Sequence, residues 1–174
     1  GTLTDNVMRF YSAAAYPYST PPTPAGTPVP PDSAAADLWR ALALCHTVTV
    51  ADAGAYEGSS SDEVALVEGA AASGWRLTAE AGGVREVCAG HGAPGQVRYR
   101  LLAACPFSSD RKRMAALLQR LGPGGEPAEE DVWVVVKGAD TTVLPLLEAV
   151  PPAVVAARDR LLSEWSAVGL RTLV

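Results

Sequence analysis

The stretch Asp131-Val132-Trp133-Val134-Val135-Val136-Lys137-Gly138-Ala139-Asp140 constrains this chain more than any other. β-Branched and aromatic side chains fit a pleated surface better than a helix, so Val132–Val136 reads as a strand. Its continuous apolarity predicts a buried, central one. Asp140 is placed to cap a helix running through Glu148, with Pro145 tolerated near its first turn. A lysine leaving a strand just ahead of a helix N-terminus can point at an anion. Gly138 lets the backbone come close, and the helix supplies free N–H groups and a positive dipole end. On pattern alone the other reading, a strand-end lysine solvated by its turn, stays open.

The rest of the chain supplies partners for that strand. Leu38, Ala41 and Leu42 fall on one face of a helix over Asp37–Leu44, with Asp37 as its cap. His46–Val50 alternates like a short strand. Ser60 followed three residues later by Glu63 forms a capping-box signature ahead of a helix over Val64–Ala72, closed by Gly74. Trp75–Thr78 and Val84–Cys88 flank Gly82-Gly83 as a hairpin. Val97–Phe107 reads as a longer strand, Ser108–Asp110 as a turn, and Met114–Leu118 as a returning strand or short helix. Gly122–Glu130 reads as an exposed loop. Pro151-Pro152 opens a helix to about Val168, with Leu162, Trp165 and Val168 on one face. Gly169 ends it, and Leu170–Val174 reads as a final strand. Strands and helices mix through hairpins, without strict alternation. The expected class is α+β, a mainly antiparallel sheet flanked by helices. Ser12–Ala36, rich in proline and alanine, is expected as a surface loop or linker without packed structure.

With 174 residues, 48% of them hydrophobic, the chain can bury the core of one ordinary domain. A net charge of -5 argues against a nucleic-acid groove, which needs a clustered basic face. It does not exclude a mononucleotide, which needs one or two cations. Cys45, Cys88 and Cys105 are odd in number and far apart, so they suggest buried, reduced thiols and neither a zinc site nor a disulfide framework. His46 follows Cys45 directly, and neighbours in an extended segment point to opposite faces. No apolar run is long enough to cross a bilayer, and no signal peptide is evident. The chain opens on Gly1 without a methionine and reads as a segment of a longer protein. Only two of its 14 basic residues are lysines, Lys112 and Lys137, which makes each more informative.

No G-x-x-x-x-G-K-[ST] loop and no G-x-S-x-G elbow occurs, so no self-contained catalytic site is present. Besides Lys137–Asp140, three stretches present useful groups. In Phe107-Ser108-Ser109-Asp110-Arg111-Lys112-Arg113-Met114, an aromatic beside a basic turn can stack a base while cations approach phosphate. A charged hairpin with Phe107 turned into the core is the alternative. Glu63 fits its capping box, or it accepts a hydrogen bond from an adenine amino group. Arg171 and Thr172 follow the helix stop at Gly169.

Read in order, these stretches resemble the nucleotide-binding domain of type IV P-type ATPases, the phospholipid flippases. Leu42-Ala43-Leu44-Cys45-His46-Thr47 is similar to that family's LCHT stretch, and Ser60–Val67 to its SPDEAALV helix start. Phe107–Met114 resembles F-N-S-D-R-K-R-M, Lys137–Asp140 is KGAD, and Gly169–Leu173 resembles GLRTL. Gly1-Thr2-Leu3-Thr4 looks like the tail of the D-K-T-G-T-L-T phosphorylation motif, and Asn6 and Met8 continue the pattern. Ser61 and Ser108 depart from it, standing where the family has proline and asparagine.

The resemblance implies that residues 1–11 end the phosphorylation-motif segment and hinge. Residues 12–36 are then the linker, and 37–174 the nucleotide-binding domain, with 169–174 returning towards the phosphorylation domain. It further implies that Phe107 stacks on adenine and Glu63 faces the adenine side. Ser109 and Lys112 line the same pocket, Lys137 lies along the base and ribose, Gly138 keeps the wall beside it thin, and Arg171 with Thr172 reaches the phosphates. ATP, with Mg2+ in the full-length enzyme, is the implied ligand. No residue of this chain is implied as catalytic or as a metal ligand, since the phosphorylated aspartate would precede Gly1. The implied partners are the phosphorylation and actuator domains of the parent chain and an accessory membrane subunit, at the cytosolic face of a membrane, with no nucleic acid. Two other readings are a cation pump's nucleotide-binding domain, disfavoured because such pumps continue K-G-A with proline, and a docking module of the same fold that has lost ATP.

Overall fold

A computed structural model describes residues 7–15, 23–24, 34–89 and 95–174. Gly1–Thr4, Asn6, His91 and most of the proline-rich segment lie outside the described residues. The chain divides into two compact units. The first is Gly1–Ala104 with Ala116–Val135, and the second is Cys105–Ala115 with Val136–Val174.

In the first unit, β1 (Ser12–Ala13) and β2 (Thr23–Pro24) form a two-residue antiparallel ladder, and Ala13 is buried. The segment expected to lack packed structure therefore carries a small ladder. It also supplies the start of α1 (Ala34–Leu44), which begins ahead of Asp37 and leaves that residue inside the first turn. The buried face of α1 is Ala36, Trp39, Ala43 and Leu44, whereas Leu38, Ala41 and Leu42 are only half-buried. The large indole decides which stripe turns inward, and the Phe10 ring meets it edge-on at 5.3 Å.

β3 (Thr49–Val50) pairs with β4 (Tyr56–Glu57), and α2 spans Ser61–Ala72. Ser60 Oγ accepts from Glu63 N at 3.4 Å, as the capping signature predicts. Gly74, with φ +95°, takes the left-handed turn that follows α2. Gly69 on α2 faces Phe10, and a Cβ there would lie 2.4 Å from the ring.

β5 (Trp75–Ala81) and β6 (Val84–Ala89) form the expected hairpin, with Ala81 opposite Val84. Gly82 and Gly83 both have positive φ, as a two-residue primed turn requires. β6 continues antiparallel to β7 (Gly95–Ser108), and β8 (Arg113–Leu121) and β9 (Pro127–Gly138) complete a five-stranded sheet in the order β5-β6-β7-β8-β9. The observed class is α+β. The last three strands run through both units.

The valine run is not a central strand. Among the described residues β9 is a sheet edge, with Val132 45% and Val134 71% exposed. Composition marks a strand but not its rank in the sheet, and here alternate side chains face outward. On the other face of the run, the Arg40 guanidinium lies between the Trp133 ring (4.7 Å) and the Trp75 ring (4.9 Å). The 122–130 loop is shorter than expected because β9 already starts at Pro127.

The second unit adds α3 (Asp140–Val143), a 3-10 turn over Leu144–Leu146, and α4 (Pro152–Ala167). The helix expected through Glu148 stops after one turn, because Pro145 has no N–H to continue the ladder. Ala139, not Asp140, is the N-cap, and Asp140 Oδ1 accepts from Thr141 N at 2.7 Å. α4 ends at Gly169 (φ +78°) as predicted. Its half-buried stripe includes Leu162 and Trp165, but Val168 is 74% exposed. Residues 170–174 form no strand, although Val174 exchanges both backbone hydrogen bonds with Gly138, at 2.9 and 3.0 Å. Among the described residues no helix is long and apolar enough to cross a membrane.

Candidate functional site

All the singled-out residues except Glu63 fall in the second unit. They sit on three segments: the β7–β8 connection, the end of β9, and the stretch after α4. Phe107, the penultimate residue of β7, has 60% of its surface exposed, so the ring is not turned into the core. Ser109–Lys112 form the tight turn that follows, closed by Lys112 N donating to Ser108 O at 2.7 Å. Arg111 N donates to Ser108 Oγ at 3.4 Å, and the Arg111 guanidinium returns to Pro106 O at 2.5 Å. Lys112 holds φ +50°, a left-handed conformation that a side chain seldom takes without compensation.

The compensation comes from the end of β9. Lys112 O accepts from Ala139 N at 3.0 Å and meets Thr142 Oγ1 at 3.4 Å. That hydroxyl also donates to Ala139 O at 2.9 Å, so its one proton is shared between two carbonyls. Gly138 is what allows the approach. A Cβ on it would lie 2.4 Å from Lys112 O and 2.6–2.7 Å from Arg113. The space at Gly138, expected to admit a ligand anion, is thus taken up by the neighbouring turn. Through its backbone, Gly138 also holds Val174 and hence the segment bearing Arg171 and Thr172. Three segments far apart in sequence are therefore joined at one glycine. Lys137, beside it, is only 8% exposed, a rare degree of burial for a lysine. Arg171 is exposed and Thr172 half-buried. The helix meant to aim N–H groups at an anion has a single turn, and Thr142 N and Val143 N both donate to Ala139 O.

Glu63 belongs to the first unit. Its backbone N–H makes the Ser60 cap, while its carboxylate reaches Thr47, sixteen residues earlier. Oε2 accepts from Thr47 N at 3.1 Å and from Thr47 Oγ1 at 2.5 Å. The capping reading of Ser60 and the reach of Glu63 elsewhere hold at the same time. Thr47 lies in the LCHT-like stretch, and nothing in that motif alone signals a contact with Glu63.

Arg85 is a second residue whose part is not signalled by local pattern. This side chain is 4% exposed and pairs with Glu80 at 3.2 Å. It donates to Leu44 O and, at 2.9 Å, to His46 O, so a cation satisfies the carbonyls at the end of α1. A single arginine in a short strand gives no pattern from which this could be read. His46 is buried, with Nδ1 accepting from Val48 N and Nε2 at Ala43 O, both at 3.0 Å. The three thiols differ from the expectation of uniform burial: Cys45 is buried, Cys88 half-buried and Cys105 exposed. Among the described residues no group of three His, Cys, Asp or Glu side chains is placed to hold a metal ion.

No family model matches the chain. It is similar to phospholipid-transporting ATPase DRS2 of Saccharomyces cerevisiae, at 34% identity over 142 residues that cover 79% of this chain. It is also similar to the mouse phospholipid-transporting ATPase IK, at 32% identity over 82% of this chain, and to the mouse ATPase VD, at 34% over 68%. The chain spans about a tenth of the length of these relatives (10%, 10% and 8%). On these matches the chain belongs to the phospholipid-transporting, type IV P-type ATPases.

Proposed function

We propose that this chain is the ATP-binding part of a phospholipid-translocating P-type ATPase. In this reading it presents the γ-phosphate to an aspartate in a phosphorylation domain and so drives lipid transport at the cytosolic face of a membrane. The observation that carries the reading is the junction at Gly138. It ties Lys137, the Phe107–Lys112 turn and the segment of Arg171 and Thr172 into one unit.

The residues present suit a nucleotide. Phe107 offers an exposed ring for stacking on the base, an interaction worth about 1–3 kcal/mol in single-stranded nucleic-acid systems. Ser109 and Lys112 extend the same turn with a hydroxyl and an ammonium, and Gly138 sets its distance from Lys137. Lys137 supplies a fixed charge along the base and ribose, and Arg171 with Thr172 reaches for phosphate. Mg2+ accompanies the phosphates of ATP. The chain's own residues bind and orient the nucleotide, while phosphoryl transfer belongs to the aspartate of the partner domain. The 174 residues contain no Asp-Lys-Thr triplet, so binding without turnover is the expected behaviour of this chain. The parent's actuator domain and an accessory membrane subunit are its proposed further partners.

Titration of the 15N-labelled chain with ATP tests the proposal. Saturating shifts at the amides of Phe107 and Lys137, with an affinity on the order of millimolar (about 4 kcal/mol), are expected. Phe107→Ala and Lys137→Ala each weaken binding beyond the measurable range. An unchanged affinity in Lys137→Ala returns the chain to a docking role, and phosphate release by the pure chain sinks the claim of binding without turnover.

A further inference from the structure

Phe107 is 60% exposed, so its ring takes its direction from the backbone beneath it more than from neighbouring side chains. That backbone is fastened in an unusual way. Pro106 precedes Phe107; its ring locks φ, and it offers no N–H to the sheet ladder. Its carbonyl is the group left to hold, and the Arg111 guanidinium donates to it at 2.5 Å. The carbonyl belongs to the peptide plane that joins Pro106 to Phe107. A bond to it therefore sets the tilt from which the Phe107 side chain departs.

Arg111 reaches back from a backbone that is itself held. Its N–H donates to Ser108 Oγ at 3.4 Å, and its carbonyl accepts from the Arg113 guanidinium at 3.4 Å. The next residue closes the turn through Lys112 N to Ser108 O at 2.7 Å, and Ala139 N anchors Lys112 O at 3.0 Å. All of these residues belong to the second unit. A run such as Arg111-Lys112-Arg113 suggests three cations for phosphate, but a guanidinium committed to a carbonyl five residues back acts on the ring instead. Stacking needs one face of the ring presented to the base, and a ring already oriented loses less freedom when the base arrives.

We infer that Arg111 is a positioning residue: through the Pro106 carbonyl it holds the Phe107 ring in the orientation that stacks on the adenine base, and it is not a phosphate ligand. The inference rests on the proposed ATP binding. It separates Arg111 from the cations beside it by the part of the nucleotide that each serves.

The experiment titrates ATP and uncharged adenosine into the chain carrying 13C-labelled phenylalanine rings. The chain has two phenylalanines, Phe10 and Phe107, so Phe107→Ala assigns the signals. In the unaltered chain both ligands should move the Phe107 ring signals. Arg111→Met removes every donor while keeping a long side chain, and should weaken adenosine about threefold. Arg111→Lys, which keeps a cation and a donor, should recover most of that loss. In the methionine variant the Ala139 amide, bonded to Lys112 O, should keep its protection from exchange. A loss confined to ATP makes Arg111 a phosphate ligand and overturns the inference, as does unchanged affinity for both ligands. A lysine variant no better than the methionine one overturns it too. Lost protection at Ala139 means that the turn itself has collapsed, and the positioning role falls. All four outcomes leave ATP binding intact. If neither ligand moves a Phe107 signal in the unaltered chain, the proposed function fails and the inference with it.

Discussion

The first unit fully buries Trp39, Leu44, Cys45, Val48, Val67, Leu77, Val87, Tyr99 and Leu118, with two helices laid beside a hairpin-built sheet. In the second unit only Met114, Lys137, Gly138 and Val143 are buried, and α4 contributes no buried residue. What organises the second unit is local: backbone hydrogen bonds to Lys112 O and Val174, and a glycine that a turn can touch. Apolar burial supplies stability in proportion to area, whereas close backbone contacts supply placement. The difference teaches that the residues proposed to meet nucleotide, all but Glu63, are carried by the less deeply packed of the two units. Such segments open at lower free energy than a core, and binding loops are drawn from them.

The most severe way to break the comparison is through the core of the first unit. Trp39→Ala removes a fully buried indole and the partner of Phe10, and should cost about 3–5 kcal/mol of stability, read as a shift in the urea midpoint. A loss below about 1 kcal/mol would mean that α1 is not the keystone that its burial indicates.

Gly138→Ala attacks the second unit instead. Its new methyl meets backbone and Cβ atoms at 2.4–2.7 Å, which cannot rotate away as a side-chain tip can. A cost of about 1–3 kcal/mol is expected, with amide shifts at Lys112, Ala139 and Val174 and slowed exchange lost at the bonds they share. Amides of α1 and α2 should keep their protection. Were all amides to lose protection together, the distinction between a core-held and a contact-held unit would fail.

Much of this was legible from residues and some was not, for physical reasons. The Ser60 cap, the Gly82-Gly83 hairpin, the Gly169 stop and the long β7 strand follow from local chemistry, which sequence displays directly. The rank of β9 in the sheet does not, because a valine run reads alike at an edge and in the centre. The buried stripe of α1 was misjudged because three small or medium aliphatic residues were counted and a single tryptophan outweighed them. At the site, Lys137 and Gly138 stood out by pattern, but what Gly138 accommodates is the carbonyl of a residue 26 positions earlier, Lys112. Thr47 and Arg85 act through long-range hydrogen bonds to Glu63 and to the end of α1. No periodicity announces such contacts.

The mildest probe uses protons. Burial pushes the Tyr99 phenol above its ordinary value, against a lowering by the Arg40 charge. Burial likewise raises Tyr56, whose hydroxyl donates to Leu77 O at 2.9 Å, against a lowering by Arg76. Both belong to the first unit, and the second contains no tyrosine. Because the folded pKa lies above the unfolded one, the folded state holds the phenolic proton longer. The stability this represents is complete below about pH 10 and is lost as pH rises through the folded values. Each group can contribute a slope of at most about 1.4 kcal/mol per pH unit in that window. Urea midpoints followed by tryptophan fluorescence from pH 8 to 11 should fall above pH 10, and Tyr99→Phe should flatten the fall. Phenolate absorbance should show Tyr56 and Tyr99 titrating later in the folded chain than in the urea-unfolded one. If Tyr99→Phe left the alkaline slope unchanged, the buried phenol would not be the group that senses the loss, and the charge of Arg40 between its two indoles would be the next to vary.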